Sequence, residues 1–110
     1  MFEVKVKFQR NSTDQRWWHS DEDIFDYIQE EYVDTGKILE QSIIISEDMY
    51  KKEHTIVFDC EESFNEWLTD EVLVYERQRM RRFHNISRIA HSINAYDVKV
   101  TKDLYSVYEH

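Results

Sequence analysis

The sequence contains no proline, one glycine (Gly36) and one cysteine (Cys60). A single cysteine excludes an intramolecular disulfide, so stability must come from a packed core, and a lone thiol fits a reducing, cytoplasmic setting. The longest apolar run is "VLVY", Val72 to Tyr75, which is far short of a membrane span. No signal peptide opens the chain, because "MFEVKVKF" alternates where an apolar run would be needed. Alanine is scarce as well, with Ala90 and Ala95 alone. Pro, Gly and Ala have GC-rich codons, while Ile, Asp, Glu, Tyr and Phe abound. That balance points to an AT-rich genome, a phage or an AT-rich bacterium, against which the seven arginines weigh slightly.

Positive charge is the other shortage. Fourteen Lys and Arg face 23 Asp and Glu, for a net charge of -9. That argues against nucleic-acid binding, which needs a basic surface to displace counterions. All but three of the acids lie between Glu3 and Glu76, whereas Arg77 to Ile93 carries arginines and no acid. What is present in quantity is apolar side chain, 41% of 110 residues, with aromatics at 15%. Residues 1–110 therefore read as one domain with a real core.

Periodicity places the elements. "FEVKVKF" alternates Phe2, Val4, Val6 and Phe8 against Glu3, Lys5 and Lys7, the pattern of a half-buried strand. Ser20 with Asp23 approximates a capping box before a helix carrying Ile24, Ile28 and Tyr32 on one face, and Gly36 falls at its C-terminal cap. "KILEQSIIIS" and "EHTIVFDC" read as two strands joined by a hairpin. Phe64, Trp67, Leu68 and Val72 give a second helix, and the helical pattern continues or resumes through Tyr75, Met80 and Phe83. "NAYDVKV" alternates again, with Tyr96, Val98 and Val100 on one face. The tail, 101–110, is read as an edge strand or dimer arm.

The order β-α-β-β-α-β predicts an α+β, ferredoxin-like domain, a four-stranded antiparallel sheet with two helices on one face. Its other face is left bare. A second copy is the simplest cover, which predicts a homodimeric barrel.

"HTIVFDCEESFNEWLTDE", residues 54 to 71, with "YVDTGKILEQSIIISED" before it, resembles the third strand, second helix and second strand of the antibiotic-biosynthesis-monooxygenase-like dimeric α+β barrels. The resemblance implies a homodimer with a cavity between sheet and helices in each subunit. Members include cofactor-independent monooxygenases and haem-degrading enzymes. The haem-degrading members use an Asn on the first strand with a Trp and a His on the second helix. Here the first strand offers Lys5 and Lys7, and His84 would lie roughly 25 Å from Trp67 on one straight helix. No haem and no other cofactor is expected.

The resemblance and the aromatic pattern give Trp67, His54, Phe58, Trp17 and Trp18 as candidate ligand-binding residues, for a small hydrophobic ligand or an aromatic substrate of cofactor-free oxidation. For Trp17 and Trp18 the competing reading is core or dimer seam, and for Trp67 it is core. Arg77, Arg81 and Arg82 are candidate anion-binding residues. A solvated or ion-paired helix end explains them better, because cations at a helix C-terminus complement its dipole. The histidines show no HxH or HExxH spacing and the chain no Cys-x-x-Cys, so no metal is expected. Catalytic residues cannot be named from the sequence. The rival function comes from another class: an acidic, phage-type interaction protein occupying a basic site on a host protein.

Overall fold

The computed structural model describes residues 1–87 and 89–97, the last strand by its backbone alone. Strand β1 spans Phe2–Gln9, and helix α1 spans Glu22–Ile28 and runs on into a π-helical turn, Gln29–Val33. Strands β2, Ile38–Ile45, and β3, Lys51–Phe58, form a hairpin. Helices α2, Glu61–Thr69, and α3, Glu71–Ser87, follow, and β4, Ala90–Asp97, closes the order. The sheet runs β2-β3-β1-β4 with every neighbouring pair antiparallel, the arrangement of the ferredoxin-like fold. Among the described residues no helix is long and apolar enough to cross a membrane. The tail at 101–110, with Val98 and Val100, lies outside the described residues.

The strand alternation read in β1 is what builds the core. Phe2, Val4, Val6 and Phe8 are all buried under the helices, while Lys7 and Gln9 are exposed on the other face. Across β3 the same face carries Ile56 and Phe58, which pack with Phe64 and Trp67 of α2, Leu73 of α3 and Tyr32. Phe58 is fully buried, its ring 5.5 Å from Phe64 and 5.8 Å from Trp67, both in edge-to-face contact. On the open face, Lys5 pairs with Glu53 at 3.1 Å and Glu3 at 3.7 Å.

Strand β2 carries a bulge between Ile38 and Glu40. Ile38 still pairs with Phe58, but Leu39 is extra, so Gln41, Ile43 and Ile45 align with Ile56, His54 and Lys52 on the helix side. Ile44 lies opposite Glu53 and is 63% exposed on the open side.

Two expectations about the helices are corrected. The long second helix is two helices, broken at Asp70, whose ψ of 120° is extended. Its carboxylate accepts the N–H of Val72 at 2.9 Å and of Leu73 at 3.4 Å, so it caps α3 instead of extending α2. The first helix is also not capped by Ser20. Asp21 precedes it without a side-chain cap, and the Ser20 hydroxyl donates to Glu76 at 2.5 Å. Gly36 does occupy the left-handed position, φ 81°, where the chain leaves the π turn.

Candidate functional site

Between the helix-side face of the sheet and the helices lies a cavity of about 420 Å³, within the range of small-molecule sites. Val6, Phe8, Ile43 and Ile56 form its sheet wall, and Ile24, Ile28, Val33, Leu73 and Met80 its helical wall. Strand alternation and helix amphipathicity make this lining apolar, so it favours an apolar occupant. Polar groups enter at a few points: Lys52 and His54 on β3, Gln41 on β2, and Glu76, Arg77 and His84 on α3.

Trp18, His19 and Ser20 add a loop to the lining. Glu76 is only 6% exposed, and its Oε2 accepts from the Trp18 indole N–H at 2.9 Å and from the Ser20 hydroxyl. Its Oε1 accepts from Arg79 at 3.2 Å, and the Arg79 guanidinium also stacks 5.1 Å from the Trp18 ring. The Trp18 backbone N–H donates to His84 Nε2 at 3.1 Å, with His84 2% exposed. This pattern requires Nε2 to be unprotonated. Trp18 is thus fixed by both its main chain and its ring.

On the β3 wall, burial and then the charge of Lys52 hold the His54 pKa below its usual 6.5. Its neutral form therefore prevails near neutral pH and can accept a proton. Burial, then Arg10, likewise lowers the Lys52 pKa. Arg77 turns into the wall, donating to the Trp67 carbonyl at 3.2 Å and the Leu68 carbonyl at 2.5 Å, and stacking 4.7 Å from the Trp67 ring. It closes the last turn of α2, whose carbonyls have no helical partner.

The five residues first marked for ligand binding divide. Trp67, His54 and Trp18 all line the cavity, whereas Phe58 and Trp17 are not among its lining residues. Phe58 sits deeper in the core, and Trp17 packs on Phe8 beneath the Arg10 guanidinium, 4.4 Å from its centroid. The three arginines divide too: Arg77 faces the cavity, while Arg81 and Arg82 are exposed farther along α3. Sequence reasoning passed over Lys52 and Glu76, and set His84 aside because of its distance from Trp67 on one straight helix. A lysine at an inward position of "KKEHTIVF" was the available signal for the first. The break at Asp70 also brings His84 and Trp67 onto one cavity, which a straight helix would have prevented. Among the described residues no three His, Cys, Asp or Glu side chains gather as a metal site would need.

No known protein family matches the sequence, and no curated protein does. Solved structures are similar. One is a protein from Deinococcus radiodurans provisionally assigned as an antibiotic biosynthesis monooxygenase, with a TM-score of 0.55 at 8% identity, over 92% of this chain and 95% of that one. Another is a dimeric ferredoxin-like protein from an uncultured marine organism, with a TM-score of 0.54 at 10% identity, over 93% and 97% of the two chains. At such identities the likeness establishes the fold alone, and that fold is the ferredoxin-like α+β fold.

Proposed function

We propose that this chain is a homodimeric small-ligand-binding protein that takes an apolar or aromatic molecule between its sheet and its helices. The observation that carries this reading is the apolar-lined cavity of about 420 Å³. The dimer is supported by Leu39 and Ile44, exposed large apolar residues on the edge strand β2, and by the similarity to a dimeric ferredoxin-like protein.

A second reading adds chemistry to binding, and His54 favours it. A neutral imidazole in the cavity wall can take a proton from an acidic C–H of a bound aromatic substrate. The carbanion can then react with dioxygen directly. One oxygen atom ends in a new C=O and the other leaves as water with the two hydrogens of the original CH2, so no external reductant is needed.

Binding is tested with the neutral fluorophore N-phenyl-1-naphthylamine, whose emission rises in an apolar site. The expected result is saturable binding of one dye per chain. It should be lost in Ile28→Trp/Met80→Trp, which projects two rings into the cavity from facing helices. If no saturable signal appears, or if a folded double variant keeps it, the cavity is not the binding site.

A further inference from the structure

We propose that the cavity is built for an organic anion, an apolar body bearing one negative head group that docks on Lys52. This rests on the ligand-binding reading above and names the class of ligand.

Lys52 lies on the helix-side face of β3 and lines the cavity, half-buried. Its cross-strand partners are Phe8 on one side and Ile45 on the other. Its ammonium stands 5.4 Å from the Phe8 ring and 5.7 Å from the Trp17 ring. Among the described residues no carboxylate pairs with it, although the chain holds 23 of them. The charge nearest in effect is another cation, Arg10, which donates through Nε to the Met49 carbonyl and through Nη1 to the Gln15 carbonyl. A half-buried ammonium facing apolar neighbours and a second cation is costly, and a bound anion would relieve it.

The rest of the lining does not supply that anion. Among the described residues Glu76 is its only carboxylate, and both oxygens are already occupied by Trp18, Ser20 and Arg79. Among the described residues, Lys52 and Arg77 against Glu76 leave the wall at +1, inside a chain of net charge -9. The acidic exterior opposes an incoming anion, but beyond about 8 Å that repulsion is largely screened at physiological salt. A contact with Lys52 in a low-dielectric cavity is not screened in that way, so the local cation wins. A cationic ligand would meet two cations, and a neutral one would leave Lys52 unpaired.

A matched pair of dyes separates these cases. 8-Anilinonaphthalene-1-sulfonate is N-phenyl-1-naphthylamine with a sulfonate added. In a cavity that sees only apolar surface the neutral dye binds more tightly. The expected result is the reverse, the sulfonate ahead by about tenfold. Lys52→Gln should abolish that preference, Lys52→Arg should retain it, and Lys51→Gln should not change it, because Lys51 removes the same charge from the other face of the strand. Melting curves establish that each variant is folded. If the neutral dye binds as tightly or more tightly and Lys52→Gln has no effect on the ratio, the anion inference falls while the ligand-binding reading stands. If neither dye binds saturably, both fall. Sulfonate binding that survives Ile28→Trp/Met80→Trp is surface adsorption and likewise overturns the proposal.

Discussion

Replacing Asp70 with alanine removes one acceptor from four donors. Oδ1 accepts the N–H of Val72 and Leu73 at the start of α3, and Oδ2 accepts the Tyr27 hydroxyl at 2.6 Å and the Tyr32 hydroxyl at 2.8 Å. Losing the cap costs about 1 kcal/mol. Tyr27 is half-buried and water can replace its partner. Tyr32 is 1% exposed, so its hydroxyl is left without an acceptor at a cost of about 1–3 kcal/mol. The two effects give about 2–4 kcal/mol, a fall in melting temperature of roughly 8–16 °C for a domain of this size. Urea unfolding followed by circular dichroism measures it. Adding Tyr32→Phe removes the stranded hydroxyl and should recover about 1–2 kcal/mol, so the pair is strongly non-additive. The pH dependence has a definite sign. Burial alone would raise the Asp70 pKa, but the hydrogen bonds from Tyr27, Tyr32, Leu73 and Val72 outweigh it and hold it below 3.8. The contribution of the charged form is therefore present above that value and is lost as pH falls through the lower folded one. The gap between wild type and Asp70→Ala should narrow below about pH 4. A cost under about 1 kcal/mol, or strict additivity with Tyr32→Phe, would refute this account of the corner.

Light scattering should give twice the chain mass at both low and high salt, and Ile44→Glu should shift it to that of a monomer; a wild-type monomer at both salts ends the barrel reading. Glu76→Gln keeps the shape but weakens charge-assisted hydrogen bonds worth about 1.5–3 kcal/mol, so amide exchange at Trp18 should accelerate at least tenfold. Unchanged protection there would show that Glu76 does not hold the loop. Proton NMR should place the His54 midpoint below 6.5. Since the folded pKa is the lower one, the stability linked to His54 is complete above 6.5 and declines as pH drops through the folded value, and His54→Leu should flatten that decline. A midpoint above 6.5 contradicts the burial argument.

The strands were legible because one face of β1 meets only core. Phe2, Val4, Val6 and Phe8 alternate against charged neighbours, and no other period fits them. The place of the helix break was not legible, because apolar residues recur at helical spacing on both sides of Asp70. What ends α2 is one carboxylate taking donors from two directions, and two of those donors belong to tyrosines 38 and 43 positions away. For the same reason half of the cavity was hidden. Trp67 and His54 stand out as an aromatic and a titratable residue on apolar faces, but Glu76 is unremarkable in "YERQRMRR" until Trp18 and Ser20 fold onto it. Arg77 looked like part of a surface charge cluster. The short reach from α3 back to the last carbonyls of α2, created by the break, turns it inward.

The single unpaired residue near the start of β2 has a wider reach than its size suggests. Side chains on a strand change sides at each step, so Leu39 sets the phase of everything after it. With the bulge, the ligand meets Gln41 and Ile43; were Leu39 instead paired regularly, opposite Val57, the strand would offer Glu40, Ser42 and Ile44 to the same space. That would replace an amide and an isoleucine with a carboxylate opposite Ile56 and a hydroxyl opposite His54. One irregular step in a strand therefore decides whether this wall of the cavity is an amide and an isoleucine or carries a second carboxylate.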